Sequence, residues 1–425
     1  MKKSHFSFLI LFIIFTQPLF AQKSSVTPLD VQKAEVASKI KDPVEATKAY
    51  LDSVPLERRE KTKAYAHGNY VLDIVDFVFL SAILLWLISS GLSVRFRNFA
   101  QRITKNPSLQ TAIYWFQFFA VITLIQLPLT IYSSYYREKK YDLLTQSFSY
   151  WLSDRVKGFF LGIFLGAILV MALYTVLRKT PRTWWLWGSL VMILFLVLTI
   201  AIAPVFIMPI FNKFTPIKNT QIRENILKMA HEHGIHADEV YEMDASKRTD
   251  RISAFVNGIL GTTRIVMFDN TLKRCTPEEI QMILGHEMGH FVLNHVWKGV
   301  AFFSVIILLG FLFLRWAFDK FVLGRPNLGI ASVADTAGLP LLWFFLGIFL
   351  FITSPITNTF SRSQELQADN FGLNASHQPD AAATTFLKLG EYRELDPTPT
   401  VEVLFFDHPS GQTRILNAMK WKANH

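Results

Sequence analysis

Residues 285–290 read Gly285-His286-Glu287-Met288-Gly289-His290, and a hydrophobic run long enough to cross a membrane begins a few residues later. His286 and His290 are four apart, so on a helix their imidazoles leave nearly the same face. The run before them, Pro277-Glu278-Glu279-Ile280-Gln281-Met282-Ile283-Leu284, makes that helix: proline and acids suit a first turn, and apolar positions follow. Two neutral nitrogens held this way can grip one Zn²⁺, and Glu287 beside them can take a proton from a water there. Gly285 and Gly289 each weaken helix propensity by roughly 1 kcal/mol, which makes sense where a metal, a substrate or another backbone comes close.

A catalytic zinc wants three protein ligands and one open position. The stretch Ser361-Arg362-Ser363-Gln364-Glu365-Leu366-Gln367-Ala368-Asp369 offers the third. Glu365 and Asp369 share a helix face, so one carboxylate can bind metal while the other orients a ligand imidazole. His295 lies nine residues past His286, on roughly the opposite side of one continuous helix, and is not expected in the ligand set.

The pattern His286-Glu287-x-x-His290 followed by Arg362-x-x-Glu365-x-x-Ala368-Asp369 resembles the type I CAAX prenyl endopeptidases and their bacterial heat-shock protease relatives. Pro204-Val205-Phe206-Ile207-Met208-Pro209-Ile210-Phe211-Asn212-Lys213-Phe214-Thr215-Pro216 is similar to the segment that joins membrane helices to the catalytic domain in that family. Asp407-His408-Pro409-Ser410 with Arg414-Ile415 looks like its C-terminal His-Pro motif. One departure is Ser253-Ala254, where the family usually has Asn-Ala before the substrate-facing strand; it bears on substrate backbone contacts and not on the metal. The resemblance implies metal ligands His286, His290 and Glu365, a catalytic base Glu287, His408 as donor to the oxyanion, and Asp369 and Arg414 in support. It implies a mainly α, polytopic helical membrane protein of six to seven spans, with a gluzincin-like zinc peptidase domain carrying a small β-sheet. One Zn²⁺ per chain, and a peptide or protein substrate that is membrane-associated or prenylated, complete the expectation.

Composition agrees with a lipid setting. The chain is 51% hydrophobic and 18% charged over 425 residues, too apolar for an ordinary soluble enzyme. Runs of spanning length fall near 71–93, 111–133, 159–177, 184–208, 299–318 and 339–358. Residues 1–21 read as a secretory signal peptide, with Lys2-Lys3, an apolar stretch and Ala21 before Gln22. Leu19 is large for its place before the cut, so an uncleaved first membrane segment is the alternative. A signal of this kind points to a bacterial inner (cell) membrane. The net charge of +10 is explained by Lys and Arg flanking spans, and no nucleic-acid motif is present. Cys275 is the single cysteine, which excludes an intramolecular disulfide and a cysteine zinc site.

The expected order is a polar region over 22–69, membrane helices over 70–211, a catalytic insertion over 212–297, two further spans over 298–358 and a C-terminal lobe over 359–425. Within the insertion, 220–234 reads as helix, 240–243 and 264–268 as strands, and the glycines at 258 and 261 as a hairpin-like turn. The lobe opens with a helix over 362–369, and 379–392 reads as another. Basic residues at 94–110 and 178–182 place the insertion on the side away from the cytoplasm, whereas the family resemblance implies the cytoplasmic side. Two other functions share these residues: a quality-control protease for misfolded membrane proteins, and a non-catalytic chaperone with structural zinc.

Overall fold

The computed structural model describes residues 30–257, 263–390 and 393–425. Residues 1–21 and the glycine turn at 258–261 lie outside them, as do the last two residues of the expected 379–392 helix.

Two short helices come first, α1 (Val31–Ser38) and α2 (Pro43–Asp52), followed by α3 (Leu56–Ser89), α4 (Leu92–Ile103), α5 (Pro107–Lys140), α6 (Phe148–Lys179) and α7 (Trp184–Phe211). The insertion holds β1 (Phe214–Pro216), α8 (Thr220–Glu232), β2 (Val240–Met243), β3 (Ala254–Asn257), β4 (Arg264–Phe268), α9 (Asp269–Arg274) and α10 (Pro277–Val292). Then come α11 (His295–Phe321), α12 (Leu339–Ser376), α13 (Pro379–Leu389), α14 (Pro399–Phe405) and α15 (Gly411–Asn424).

Six of these helices are long and apolar enough to cross a membrane, and each contains or overlaps one of the six expected runs. The first run ends earlier than expected: α3 stops at Ser89, Gly91 turns the chain at φ +68°, and residues expected to be loop form α4. Spans begin where caps allow. Asn106 accepts from the Ser108 and Leu109 amides with Pro107 in the first turn, and Ser147 accepts from the Tyr150 amide. Inside the bundle, Tyr114, Trp115, Phe118, Tyr174 and Phe318 pack with Leu84 and Leu87. Trp115 lies so close to Gly166 that an added Cβ would sit 2.3 Å from its ring.

The sheet order is β1-β2-β4-β3, with β2 and β4 parallel and both outer pairs antiparallel. β3 therefore ends the sheet. One face packs on α8 and α10 through Val240, Ile265 and Met267 against Ile226, Ile283, Leu284 and Met288. Buried ion pairs fasten the insertion to the spans: Arg248 Nε donates to Asp154 Oδ2 at 2.9 Å, and Arg251 Nη2 to Glu138 Oε2 at 3.2 Å. Removing one partner of such a pair leaves a buried charge uncompensated, at a cost of about 3–5 kcal/mol.

The polar region over 22–69 has a place, in the residues described. Tyr50, Leu51 and Val54 of this region join a core with Phe386, Ile415, Ala418 and Met419 of the C-terminal lobe. Tyr50 Oη donates to Asp380 Oδ1 (2.7 Å), and Lys422 Nζ donates to Asp380 and to the Ser38 carbonyl (2.7 Å).

One expectation is corrected here. The lobe does not open with its own helix over 362–369, because α12 runs unbroken from the last membrane span through Glu365 and Asp369 to Ser376. The hydrophobic run ends near 358, but nothing after it breaks the helix until His377 at φ 53°. The apolar run ends there and helical geometry does not.

Candidate metalloprotease site

α10 is set by its N-terminus. Thr276 Oγ1 accepts from the Glu279 amide and Glu279 Oε2 from the Thr276 amide, a reciprocal cap with Pro277 behind it. Three turns on, His286 and His290 point into a shared space, with Nε2 atoms 3.1 Å apart. α12 crosses α10 there, backbone against backbone. A Cβ on Gly285 would meet Gly372 Cα at 3.0 Å, and one on Gly289 would meet Ala368 Cα at 3.1 Å. Of the three causes considered for those glycines, the approach of a second backbone is the one observed.

That crossing brings Glu365 to the histidines. Its Oε2 lies 3.4 Å from His286 Nε2, and its Oε1 lies 3.5 Å from His290 Nε2. One donor atom from each of His286, His290 and Glu365 falls within 4.8 Å of the others, a grouping able to hold a metal ion. Glu365 Oε2 is buried with no hydrogen-bond partner, a costly state for a carboxylate unless a cation answers it.

Asp369 sits one turn further along α12, fully buried. His286 Nδ1 is 2.8 Å from its Oδ1, and Arg414 Nε of α15 donates to its Oδ2 at 2.8 Å. Arg414 also lies over the Phe386 ring at 4.1 Å, so its guanidinium is held from both sides. His408, in the segment between α14 and α15, places Nε2 3.3 Å from Glu365 Oε1 and Nδ1 3.0 Å from Asp407 Oδ1.

Burial disfavours a charged His286, yet its hydrogen bond to Asp369 and the nearby charges of Asp369 and Glu365 outweigh it and lift its pKa to about 10. Burial, and then the charge on His286, lowers His290 to about 3. Burial pushes Glu287 up to about 7. His408 is lowered by burial and by Arg393.

The position of His295 differs from expectation. α10 and α11 are not one helix: α10 ends at Val292, and Asn294 adopts the left-handed conformation at φ 57°. The break swings His295 back, so that its Nδ1 is 2.9 Å from His290 Nδ1 and its Nε2 is 3.3 Å from Gln367 Oε1. It remains outside the group of candidate metal ligands, but it touches one of them.

The profile of Peptidase family M48 matches residues 216–422, and that of the CAAX prenyl protease N-terminal region, five membrane helices, matches residues 37–213. An uncharacterized metalloprotease, YhfN of Bacillus subtilis, is 33% identical over 337 residues, 79% of each chain. The chain belongs to peptidase family M48. Among its M48-type relatives, CAAX prenyl protease 1 of Saccharomyces cerevisiae is 27% identical over 69% of this chain and 68% of its own. The fold matches the crystal structure of S. mikatae Ste24p with a TM-score of 0.75 at 22% identity, covering 91% of this chain and 94% of that one. This M48 member is thus a membrane-embedded metalloprotease resembling the CAAX prenyl proteases, an integral multi-pass protein whose substrates are peptides or proteins.

Two side chains of this M48 site carried no assigned role in the sequence. One is His295. The other is Arg362, whose Nη1 donates to the carbonyls of Glu402 (2.8 Å) and Phe406 (2.5 Å) and so ties α12 to the segment that carries His408. Asn294 was the available signal for the first, since asparagine is among the few residues that enter the left-handed region readily.

Proposed function

We propose that the chain is a zinc-dependent endopeptidase with His286, His290 and Glu365 as the ligands. The observation that carries this is the spacing of their donor atoms. The two imidazole Nε2 atoms are 3.1 Å apart, and one Glu365 oxygen lies 3.4 Å from His286 Nε2 while the other lies 3.5 Å from His290 Nε2, contacts on the scale of the edge of about 3.3 Å expected of a tetrahedron with zinc–ligand bonds near 2.0–2.1 Å. Two imidazole nitrogens with a buried carboxylate whose Oε2 lacks a hydrogen-bond partner form a donor set that fits Zn²⁺. Bound there, zinc supplies Lewis acidity, polarising a carbonyl and easing deprotonation of a water.

The chain's own groups do the rest. Glu287 takes the proton of the attacking water and delivers it to the leaving amine, a role worth roughly 10²–10⁴ in rate. Asp369 fixes the His286 ring through Nδ1, and Arg414 fixes Asp369. His295 does for His290 what Asp369 does for His286. His408 donates to the oxygen that gains charge, and loss of such a donor costs about 10²–10³. The substrate lies extended along β3, the strand that ends the sheet beside α10, and is held by main-chain hydrogen bonds.

The test is a peptidase assay on the purified full-length protein, stripped with a chelator and refilled with one equivalent of zinc. Activity should vanish and return. Turnover that survives complete removal of metal would end the proposal. The name of the yeast relative supplies a first substrate pair, a farnesylated cysteine peptide and its unprenylated counterpart.

A further inference from the structure

Six consecutive helices that each cross a membrane must run in alternating directions, which sorts their connections into two ends. α11 begins at His295 beside the metal site, and α12 reaches that site only at Glu365. The connections α3–α4–α5, α6–α7 and α11–α12 therefore gather at the far end. The first and the last of these touch there: Ser93 Oγ donates to the Ala337 carbonyl (2.7 Å), and Arg97 Nη1 to the Gly329 carbonyl (3.0 Å).

This end holds most of the chain's net positive charge. Residues 90–106 contain four Lys or Arg and no acid, and residues 178–183 contain three and none. Residues 315–338 add Arg315, Lys320 and Arg325 against Asp319 and Asp335. Eight of the ten net positive charges of the whole sequence are thus here. Both acids are already engaged, Asp335 by Arg97 at 2.5 Å and Asp319 by Arg315 at 3.9 Å. Arg95, Arg102, Lys105, Lys179, Arg182 and Arg325 are exposed and have no ion pair among the described residues. Beside them, Phe99 and Ile103 of α4 stand 50% and 60% exposed, giving that helix the apolar and basic faces of one lying at a lipid interface.

The metal-site end is built differently. Lys61 pairs with Asp142, Lys157 and Arg248 with Asp154, and Arg251 with Glu138. Lys139 and Lys140 are exposed there, beside the Asp142 that pairs with Lys61.

We infer that the far end rests among anionic phospholipid headgroups of the cytoplasmic leaflet, so that the metal site opens on the extracytoplasmic side. Short loops rich in Lys and Arg are retained on the cytoplasmic side, and anionic lipid there holds them. The substrates are then extracytoplasmic polypeptide segments rather than C-terminal tails modified in the cytoplasm. That substrate class rests on the peptidase function proposed above, whereas the orientation does not.

The experiment is site-directed labelling of the full chain in intact cells with a membrane-impermeant maleimide, in a Cys275→Ser background. Lys228→Cys, on exposed α8, should label in intact cells, and Lys105→Cys only after permeabilisation. The reverse pattern overturns the inference. Should Cys275→Ser fail to accumulate, alkaline phosphatase fused after His425 of the unmodified chain gives the same answer: an active fusion supports the orientation and an inactive but intact one overturns it. Adding Glu287→Gln to the labelled variants should abolish peptidase activity and leave the labelling pattern unchanged, which separates the two questions.

Discussion

The two halves of α12 are held by different physics. Its first half packs in the bundle among aromatic and aliphatic side chains, where many weak contacts share the load and no single atom is indispensable. Its second half crosses α10 backbone against backbone and places Glu365 and Asp369 in a network of short polar contacts with His286, His290, His408 and Arg414. Losses in the first region should be graded and should appear as stability. Losses in the second should be discrete and should appear as metal binding or rate.

Glu365→Ala and Glu287→Gln break the second half in two ways and should give the largest effects. Glu365→Ala should lose both zinc and activity, read by metal analysis of the purified variant. Glu287→Gln should keep zinc and lose about 10²–10⁴ in kcat. Full zinc occupancy in the first variant would place the third ligand elsewhere, and retained turnover in the second would remove Glu287 from its role.

Asp369→Ala and His295→Ala sharpen the comparison. Both residues touch the far nitrogen of a ligand imidazole, and loss of such a partner typically weakens metal affinity by about 10–100-fold. Asp369→Ala should fall at the upper end of that range, because it also strands Arg414, and His295→Ala at the lower. Competition with a chelator of known affinity measures both. An unchanged zinc affinity in His295→Ala would make its contact with His290 incidental.

The smallest effect on chemistry belongs to the bundle. Gly166→Ala forces the Trp115 ring to move and should cost about 1–3 kcal/mol, seen as a lowered thermal midpoint in detergent. Zinc content of the folded fraction should stay at the wild-type level. A variant that stayed stable but lost metal would show the two halves to be coupled.

Much of this was legible in the sequence for reasons tied to particular residues. The six spans follow from continuous apolar runs, which lipid demands, and β2 and β4 fall on the short runs at 240–243 and 264–268. β1 escaped because three residues ending in proline give no alternating pattern, and its strand state comes from pairing with β2. The continuity of α12 escaped because a switch from apolar to polar composition reads as a boundary, although the backbone has no reason to stop there. The place of His295 depends on one left-handed residue, Asn294, and periodicity counted through that residue points to the wrong face. Nor could spacing alone bring α1 and α2 against the C-terminal lobe, since a contact such as Tyr50 with Asp380 is set by tertiary packing.

The central claim is that α10 and α12 together form one three-ligand cation site with a free vertex. An anomalous-scattering map collected at the zinc edge from crystals of the wild-type protein tests it most directly. The account expects a single peak within about 2.0–2.3 Å of His286 Nε2, His290 Nε2 and a Glu365 oxygen, with no fourth side chain bound. A peak elsewhere, or one whose four positions are all filled by side chains, would contradict it.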